Sequence, residues 1–257
     1  MTQAVSKHIW YDMMTPDPKG AGKFYAKVVG WKLEDARMPG MAYSILNANG
    51  VPVGGLMQTP KGEEGMQVPP RWHGHIHVPD VDEYARRARA AGGTINREPS
   101  DIPGIGRFAV ISDPQGASVI LFKPNSTEPQ KQVPADTAGH IGWHELHSSD
   151  AASAWKFYQG LLGWTTSREL DMGQFGVYRV FATGGADAGG MMGKMPDAPK
   201  SHWIYYINVD AIDAAASRVE KANGKVIMGP HQVPTGHWIV QCTDPQGAMF
   251  ALLSLKR

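Results

Sequence analysis

The stretch FYAKVVGW at residues 24–31 recurs as FYQGLLGW at residues 157–164, a shift of 133 positions (157 − 24 = 133). The same shift aligns Trp10 with Trp143 without a gap. Matched aromatic residues and glycines at one fixed offset are the sequence signature of an internal repeat. The two stretches therefore predict that the chain carries two copies of one fold.

A second pair of segments marks the other end of the repeat. SDPQGA at residues 112–117 matches TDPQGA at residues 243–248, a shift of 131 (243 − 112 = 131). Two nearly equal shifts across both halves indicate duplication of a whole domain. Between the halves lies a polar, proline-containing segment, which is typical of an exposed linker. We predict domain 1 at residues 1–124, a linker at 125–138 and domain 2 at 139–257.

Each half itself contains two similar units. Asp17 and Pro18 suit the cap and the first position of a helix, and Gly30 suits its end. The apolar residues between them follow helical spacing. A second helix is predicted from Asp80 or Asp82 to Ala91, and strand-like runs precede and follow both helices. The unit therefore reads strand, helix and three strands (βαβββ), and we predict four such units.

Composition and charge restrict the classes of function. The chain has 25 Lys and Arg against 24 Asp and Glu, and its net charge of +1 gives no electrostatic reason to bind nucleic acid or an acidic membrane. The single cysteine, Cys242, excludes an internal disulfide and a cysteine-rich zinc site. The sequence has neither a signal-peptide pattern nor an apolar run of membrane-spanning length. We expect a cytoplasmic protein, monomeric or homodimeric, whose partner is a small molecule.

The helix and turn segments resemble one known group of proteins. The segments are DPKGAGKFYAKVVGW, DAASAWKFYQGLLGW, the two DPQGA turns and WHEL at residues 143–146. The chain resembles the vicinal oxygen chelate superfamily of glyoxalases, bleomycin-resistance proteins and extradiol dioxygenases, and within it a tandem-domain glyoxalase-like subgroup. The resemblance implies an α+β fold of two tandem glyoxalase-like domains, each a pair of βαβββ modules forming an open U-shaped mixed sheet. It also implies a lyase, isomerase or oxygenase type of enzyme without fixing the reaction.

The usual metal site of this superfamily is interrupted in the sequence. Its ligands lie on the first and last strands of each module, and the resemblance carries these places onto this chain. They are Trp10, His73, Trp143 and Ile204 on first strands, Ile120 and Ala251 on last strands, and the runs GGLM (54–57) and GGMM (189–192). Only His73 among them is a good metal ligand. We therefore expect no cofactor, and the alternative left open is a divalent metal on a relocated set, namely His73, His75 and Glu145.

The segment WHGHIHV at residues 72–78 carries the main candidates for acid–base chemistry. Alternate residues of a strand point to the same face, so a strand here would align its three histidines in one row. Imidazole exchanges protons near neutral pH with little tuning. The alternative is a polar strand face exposed to solvent. The predicted catalytic residues are His75 and His77 from this row, with Asp12 and Glu145 as carboxylate partners.

Aromatic and methionine side chains are the candidates for ligand binding. An indole offers a flat apolar surface to a planar ligand, and methionine adapts to different shapes. The predicted ligand-binding residues are Trp10, Trp143, Met57, Met192 and Tyr206. Three functions stay open: an enzyme without the family metal that acts on a small planar or apolar molecule, a non-catalytic protein that sequesters such a molecule, and a metal enzyme with relocated ligands.

Overall fold

The computed structural model describes residues 5–38, 40–59, 68–127, 131, 133–196 and 198–257. Within this part of the chain lie four α-helices and sixteen β-strands. Residues 128–130 and 132 of the predicted linker lie outside the described residues. In the described helices, none combines the length and the apolar character that crossing a lipid bilayer requires.

Strand, helix and three strands follow one another four times, as the sequence predicts. Module 1 comprises β1 (His8–Thr15), α1 (Pro18–Val29), β2 (Lys32–Asp35), β3 (Tyr43–Ala48) and β4 (Val51–Gln58). Module 2 comprises β5 (Arg71–His77), α2 (Val81–Ala90), β6 (Thr94–Ile102), β7 (Gly106–Ser112) and β8 (Ser118–Pro124). Module 3 comprises β9 (Ile141–Ser148), α3 (Ala151–Leu162), β10 (Thr165–Asp171), β11 (Val177–Thr183) and β12 (Ala186–Gly193). Module 4 comprises β13 (His202–Asn208), α4 (Ile212–Lys221), β14 (Lys225–Gln232), β15 (Trp238–Thr243) and β16 (Met249–Ser254).

The strands form two eight-stranded mixed sheets, one from each half of the chain. Their orders are β2-β3-β4-β1-β5-β8-β7-β6 and β10-β11-β12-β9-β13-β16-β15-β14. In every module the first strand pairs in parallel with the last strand, and the second, third and fourth strands pair antiparallel. A parallel pair needs a long crossover, which the helix and the two intervening strands supply. The predicted α+β fold of paired βαβββ modules is confirmed.

The helix ends follow the sequence signals closely. The carboxylate of Asp17 accepts a hydrogen bond from the Gly20 amide at 2.9 Å, with Pro18 as the first helical residue. Helix α1 ends at Gly30 with φ of 80°, a left-handed conformation that glycine adopts without a Cβ penalty. Helix α2 begins at Val81 because Asp80, rather than Asp82, caps it by accepting from the Glu83 amide at 3.0 Å.

Packing groups the modules into two compact units that combine segments from both halves of the chain. Unit 1 contains the described residues of Met1–Ile9, His73–Gln130 and His144–Trp203, and so most of modules 2 and 3. Its helices are joined where Arg87 donates to the Gly160 carbonyl at 2.8 Å. Trp164 also donates to the Ser6 carbonyl at 2.7 Å. The segment that precedes β1 therefore takes part in packing module 3.

Unit 2 contains the described residues of Trp10–Trp72, Lys131–Trp143 and Ile204–Arg257, and so most of modules 1 and 4. Arg218 of α4 donates to the Val28 carbonyl of α1 at 2.8 Å. The hydroxyl of Tyr25 donates to Asp244 at 3.2 Å, inside the second DPQGA turn. The ring of Tyr25 also packs edge-on against Phe250. The core of module 1 is therefore completed by side chains from the last strand of the chain.

Candidate functional site

In each module, a buried residue of the first strand pairs with a residue of the last strand, and the paired positions correspond from module to module. The parallel pairing fixes the partners, because each pair lies side by side across the two strands. The first-strand side chains are polar in all four modules and almost fully buried. The four pairs are Asp12 with Gly55, His75 with Ile120, Glu145 with Gly190, and Tyr206 with Ala251. All four first-strand residues belong to the set predicted from the sequence.

A hydrogen-bond network surrounds Glu145 in module 3. The Oε1 atom of Glu145 lies 2.6 Å from Nε2 of His147, and the hydroxyl of Tyr178 donates to Oε2 at 2.8 Å. An ionised carboxylate only accepts, so Nε2 of His147 carries a hydrogen, and in the neutral ring the lone pair is on Nδ1. We refer to Glu145, His147 and Tyr178 as the proton network. It holds an imidazole in one tautomer beside a buried carboxylate.

A glycine makes room for the tyrosine of this network. In the strand order β11-β12-β9, Tyr178 must reach across β12 to contact Glu145 on β9. Gly190 lies on β12 opposite Glu145, and a Cβ atom there would collide with the ring and hydroxyl of Tyr178. The second glycine of the GGMM run therefore admits the tyrosine to the carboxylate.

Module 1 repeats this arrangement around Asp12. The hydroxyl of Tyr43 donates to Oδ1 of Asp12 at 2.6 Å, and the indole of Trp10 donates to the Tyr43 hydroxyl at 2.8 Å and to Asp12 at 3.1 Å. A Cβ atom on Gly55 would collide with the Tyr43 hydroxyl. Burial, followed by the nearby Asp12 carboxylate, raises the pKa of Tyr43 well above its usual value. This tyrosine therefore keeps its proton throughout the ordinary pH range.

The histidine row of β5 is mostly buried. His73 and His75 are 3% and 6% exposed, whereas His77 at the end of the strand is exposed. The alternative of a solvated strand face is therefore wrong for the first two histidines. The ring of His75 contacts Phe122 edge-on at 5.5 Å. Although His77 is exposed, desolvation of the covered part of its ring, followed by the charge of the nearby Lys123, lowers its pKa.

The two predicted carboxylates each have hydrogen-bond partners within their own unit. Asp12 belongs to unit 2 and accepts from Trp10 and Tyr43. Glu145 belongs to unit 1, as does the histidine row, and it binds His147 and Tyr178. The network partners on β3 and β11 are the side chains that the sequence did not single out.

A second histidine lies beside the proton network. The ring centroids of His147 and His202 are 5.3 Å apart. Nδ1 of His202 lies 2.9 Å from the carbonyl oxygen of Lys200, and a carbonyl can only accept, so Nδ1 carries the hydrogen of the neutral ring. Burial is the main cause of a lowered pKa at His202, and His147 adds to it. His202 is therefore a partly exposed, neutral imidazole with its lone pair on Nε2.

The opposite face of β9 carries a structural histidine. His144 stacks on His8 with ring centroids 4.0 Å apart, and Trp164 and Trp203 pack around His8. Nδ1 of His144 donates to the Ala188 carbonyl at 2.6 Å. Burial lowers the pKa of His144 to about 4. This ring stays neutral at physiological pH and belongs to the aromatic core.

The predicted ligand-binding residues divide between the two units. In unit 2, the partly buried Trp143 packs against Ile204, Tyr206 and their neighbours Ala251 and Leu253. The Tyr206 hydroxyl accepts from Gln241 at 2.9 Å. Trp10 lies in the Asp12 network, Met57 pairs with Met14, and Met192 of unit 1 pairs with His147. Trp143 and Tyr206 thus lie together.

Two surface hollows centred on Asn208 and Asp210 are lined by neither Trp10 nor Trp143.

The donor set does not fit the metal site usual in this fold family. Gly55, Ile120, Gly190 and Ala251 stand opposite the first-strand residues, and none of these side chains carries a donor atom. Over the described ranges, no three His, Cys, Asp or Glu side chains converge so that they could hold a metal ion. The relocated set of His73, His75 and Glu145 is accordingly not assembled.

Tyr43, Tyr178, His147 and His202 are the site residues that the sequence analysis missed. Their signal is present but weak. Tyr43 and Tyr178 are related by a shift of 135 (178 − 43 = 135), close to the shift of the repeat, and each precedes a Gly-Gly pair. His147 lies two positions after Glu145, on the same strand face. Comparing the halves at these positions would have identified the tyrosines.

Comparisons with known protein families and relatives agree with the fold. Residues 138–252 match the family model described as Glyoxalase/Bleomycin resistance protein/Dioxygenase superfamily, and residues 8–122 match the model described as Glyoxalase-like domain. CFP32 of Mycobacterium tuberculosis, a protein provisionally named a glyoxylase, is 36% identical over 249 residues, which cover 95% of this chain and 93% of CFP32. DauV of Streptomyces sp. strain C5, named an anthracycline biosynthesis protein, is 28% identical and covers 96% of this chain and 92% of its own length.

Solved structures with the same fold include members of two enzyme groups. The Mn(II)-bound glyoxalase from Novosphingobium aromaticivorans has a TM-score of 0.67 at 20% identity, covering 100% of this chain and 84% of its own. The 2,3-dioxygenase LapB from Pseudomonas sp. KL28 has a TM-score of 0.67 at 12% identity, covering 98% and 93%. At these identities the likeness concerns the fold alone. Together with the family-model matches and the 36% identical relative, it leads to one conclusion: the chain belongs to the glyoxalase/bleomycin resistance/dioxygenase superfamily and carries two tandem glyoxalase-like domains.

Proposed function

We propose that this chain is an enzyme that acts on a small planar or apolar molecule by proton transfer, without the metal usual in its family. The proton network of Glu145, His147 and Tyr178 supplies the acid–base groups. One observation carries the proposal: both oxygens of a buried carboxylate are engaged, at 2.6 Å by an imidazole and at 2.8 Å by a phenol. Such an arrangement fixes the tautomer of a general base.

The chemistry follows from the positions of the hydrogens. Nδ1 of His147 has the lone pair and accepts a proton from an activated C–H or O–H bond of the substrate. The bonding electrons stay on the substrate, and the imidazolium is stabilised by the Glu145 carboxylate beside it. Return of the proton to another substrate atom completes an isomerisation. In an elimination, the C–H electron pair forms a double bond, the bond to the leaving group breaks with its electrons on that group, and the proton stays on His147 until it is released to water. Acid–base catalysis of this type contributes a rate factor of roughly 10²–10⁴.

The proposal also keeps the residues predicted from the sequence. His75 occupies in module 2 the register position that Glu145 occupies in module 3. His75 and His77 are therefore a second acid–base pair, and Asp12 is the carboxylate of the matching network in module 1. The proposed ligand contacts are Trp143 with Tyr206, and Trp10, Met57 and Met192.

A second candidate function is binding without turnover. The partly exposed indole of Trp143 rests on the apolar cluster of Ile204, Tyr206, Ala251 and Leu253, which suits it to stacking on a flat ligand. Two relatives, DauV and DnrV, are named for anthracycline biosynthesis, and anthracyclines are planar fused-ring aromatic compounds. This supports a planar aromatic ligand for either candidate function.

One experiment separates the two functions. Metal-free protein is titrated with a panel of planar aromatic hydroxyketones and quinones while tryptophan fluorescence is recorded, and the bound compounds are followed for chemical change. His147→Gln keeps an N–H donor for Glu145 but loses the base, so we expect unchanged binding and at least 100-fold slower turnover. Trp143→Ala should weaken binding about fivefold or more, as expected for lost stacking. His231→Gln, the same change at an exposed site, is the control.

The outcomes are distinct. Binding with no chemical change in wild-type protein would favour the second candidate. Full turnover by His147→Gln would contradict the acid–base role, and turnover that appears only after Mn²⁺ is added would contradict the absence of a metal requirement.

A further inference from the structure

Glu145 and His147 of the proton network lie almost entirely out of contact with water, whereas Tyr178, which bonds Glu145, is partly exposed. The side chains of Glu145 and His147 are each 9% exposed. A base that takes a proton from a substrate must exchange it with solvent before the next cycle, unless it returns that same proton. When the proton stays on His147, as in an elimination, the buried base needs a group that connects it to the surface.

His202 has the position and the tautomer for this connection. It is partly exposed, and its ring lies 5.3 Å from that of His147 between centroids. A single hydrogen bond or one bridging water can span the gap between two rings at this spacing. Nδ1 is held by the Lys200 carbonyl, so Nε2 is the nitrogen that can gain and lose a proton.

We propose that His202 carries protons between solvent and Nδ1 of His147, which makes it the solvent gate of the proton network. In the inward direction, Nε2 of His202 takes a proton from water, and this new N–H bond then breaks as the proton moves to Nδ1 of His147. In the outward direction, Nε2 takes the proton from Nδ1 of His147 and releases it to water. Nδ1 of His202 stays bonded to the carbonyl throughout, so the ring does not need to turn over. The inference rests on the proposed function in assigning a catalytic use to this exchange.

The charges around His202 suit a carrier that does not keep its proton. The groups that face it are His147 and Glu145 from β9 and Lys194 after β12. The ammonium of Lys194 is fixed by the Ala198 carbonyl at 2.6 Å. Burial, the repulsion from a protonated His147 and the repulsion from Lys194 favour release of the proton. The hydrogen bond to the Lys200 carbonyl and the attraction of Glu145 oppose release, and the pKa of His202 is lowered on balance.

The test measures proton exchange directly and needs no substrate. In ¹⁵N-labelled full-length protein, the rate at which Nδ1 of His147 gains and loses a proton to water is followed by ¹⁵N relaxation dispersion of that nitrogen for wild type, His202→Gln and His231→Gln. We expect His202→Gln to slow the exchange at least tenfold, because glutamine fills the space but carries no exchangeable lone-pair nitrogen. Free imidazole added at tens of millimolar should restore much of the rate, and His231→Gln should match wild type.

Two results would overturn the proposal. One is an unchanged exchange rate in His202→Gln. The other is slower exchange that imidazole does not restore, which would assign His202 a purely structural role. Failure of the proposed function would appear elsewhere, as undiminished turnover in His147→Gln, while the exchange result would stand independently.

Discussion

Modules 1 and 3 hold a tyrosine on a buried carboxylate in the same way, but the second hydrogen-bond partner of the carboxylate is a different type of side chain in each module. In both modules the tyrosine crosses over a glycine, Gly55 or Gly190, to reach the acid on the first strand. In module 1 the Asp12 oxygen accepts from the phenol and from the Trp10 indole, and neither donor titrates near neutral pH. In module 3 an imidazole binds the acid instead.

The repeat makes this difference traceable to single positions. A shift of 133 relates His147 to Met14 (147 − 133 = 14) and His144 to Tyr11 (144 − 133 = 11). The shared carboxylate, tyrosine and glycine are thus the scaffold, and the histidines are what module 3 adds. The histidine chemistry that we propose for module 3 therefore has no counterpart at the matching positions of module 1.

The largest expected effect comes from filling the space that a glycine leaves for the tyrosine in each of the two networks. In Gly190→Ala and Gly55→Ala the new methyl group would displace the tyrosine from its carboxylate. Overpacking and the loss of a hydrogen bond to a charged group should together lower the free energy of unfolding by roughly 4 kcal/mol in each variant. Urea unfolding measures the change. Gly160→Ala, at an exposed position of α3, is the control. It should raise the free energy of unfolding slightly, since a Cβ there meets no atom within 4 Å.

Equal losses in the two glycine variants would support one scaffold in two copies. A loss in only one of them would mean that the two networks are held by different packing.

The next effect in size distinguishes the copies by pH. The pKa of His144 is lowered by burial from 6.5 to about 4, whereas burial raises the pKa of its counterpart Tyr11 from an ordinary value of 10.0, so Tyr11 does not titrate near neutral pH. Above pH 6.5 both folded and unfolded His144 are neutral, and the full stability is present. As the pH falls from 6.5 toward 4, only the unfolded chain takes the proton, so stability is lost. The loss should reach about 2 kcal/mol by pH 5.

Unfolding by urea at pH 7.5 and pH 5 checks this, with the comparison made between wild type and His144→Gln. The glutamine N–H can still donate to the Ala188 carbonyl, but it does not titrate. A variant that loses as much stability as wild type between the two pH values would show that His144 is not the cause.

How much of the site can be predicted from the sequence depends on how many residues separate the two partners of a contact. The caps at Asp17 and Asp80, the four modules and the buried first-strand residues follow from local pattern and repeat. The contact of Tyr178 with Glu145 does not, because it joins residues 33 positions apart through the strand order β11-β12-β9. Likewise, no local signal indicates that Tyr25 reaches Asp244, since that contact arises from packing between the two halves of the repeat.

The smallest expected effect concerns the tyrosines themselves. In Tyr43→Phe the Trp10 indole, now relieved of the phenol, can donate fully to Asp12, so the free energy of unfolding should fall by less than about 1 kcal/mol. In Tyr178→Phe the Oε2 atom of Glu145 loses its phenol donor, and the fall should be about 2 kcal/mol. Chemical denaturation of both variants measures the difference. The reverse order would show that the indole does not compensate in module 1.

The assembly of each compact unit from both halves of the chain has a consequence for synthesis on the ribosome. The interior of module 1 includes Tyr25, whose hydroxyl bonds to Asp244 and whose ring packs on Phe250. Asp244 lies 219 residues after Tyr25 and is translated correspondingly later. At roughly 5–20 residues per second, module 1 waits on the order of 10 seconds or more before its own core can close. The nascent first module is therefore the part of this protein that most depends on protection while translation proceeds.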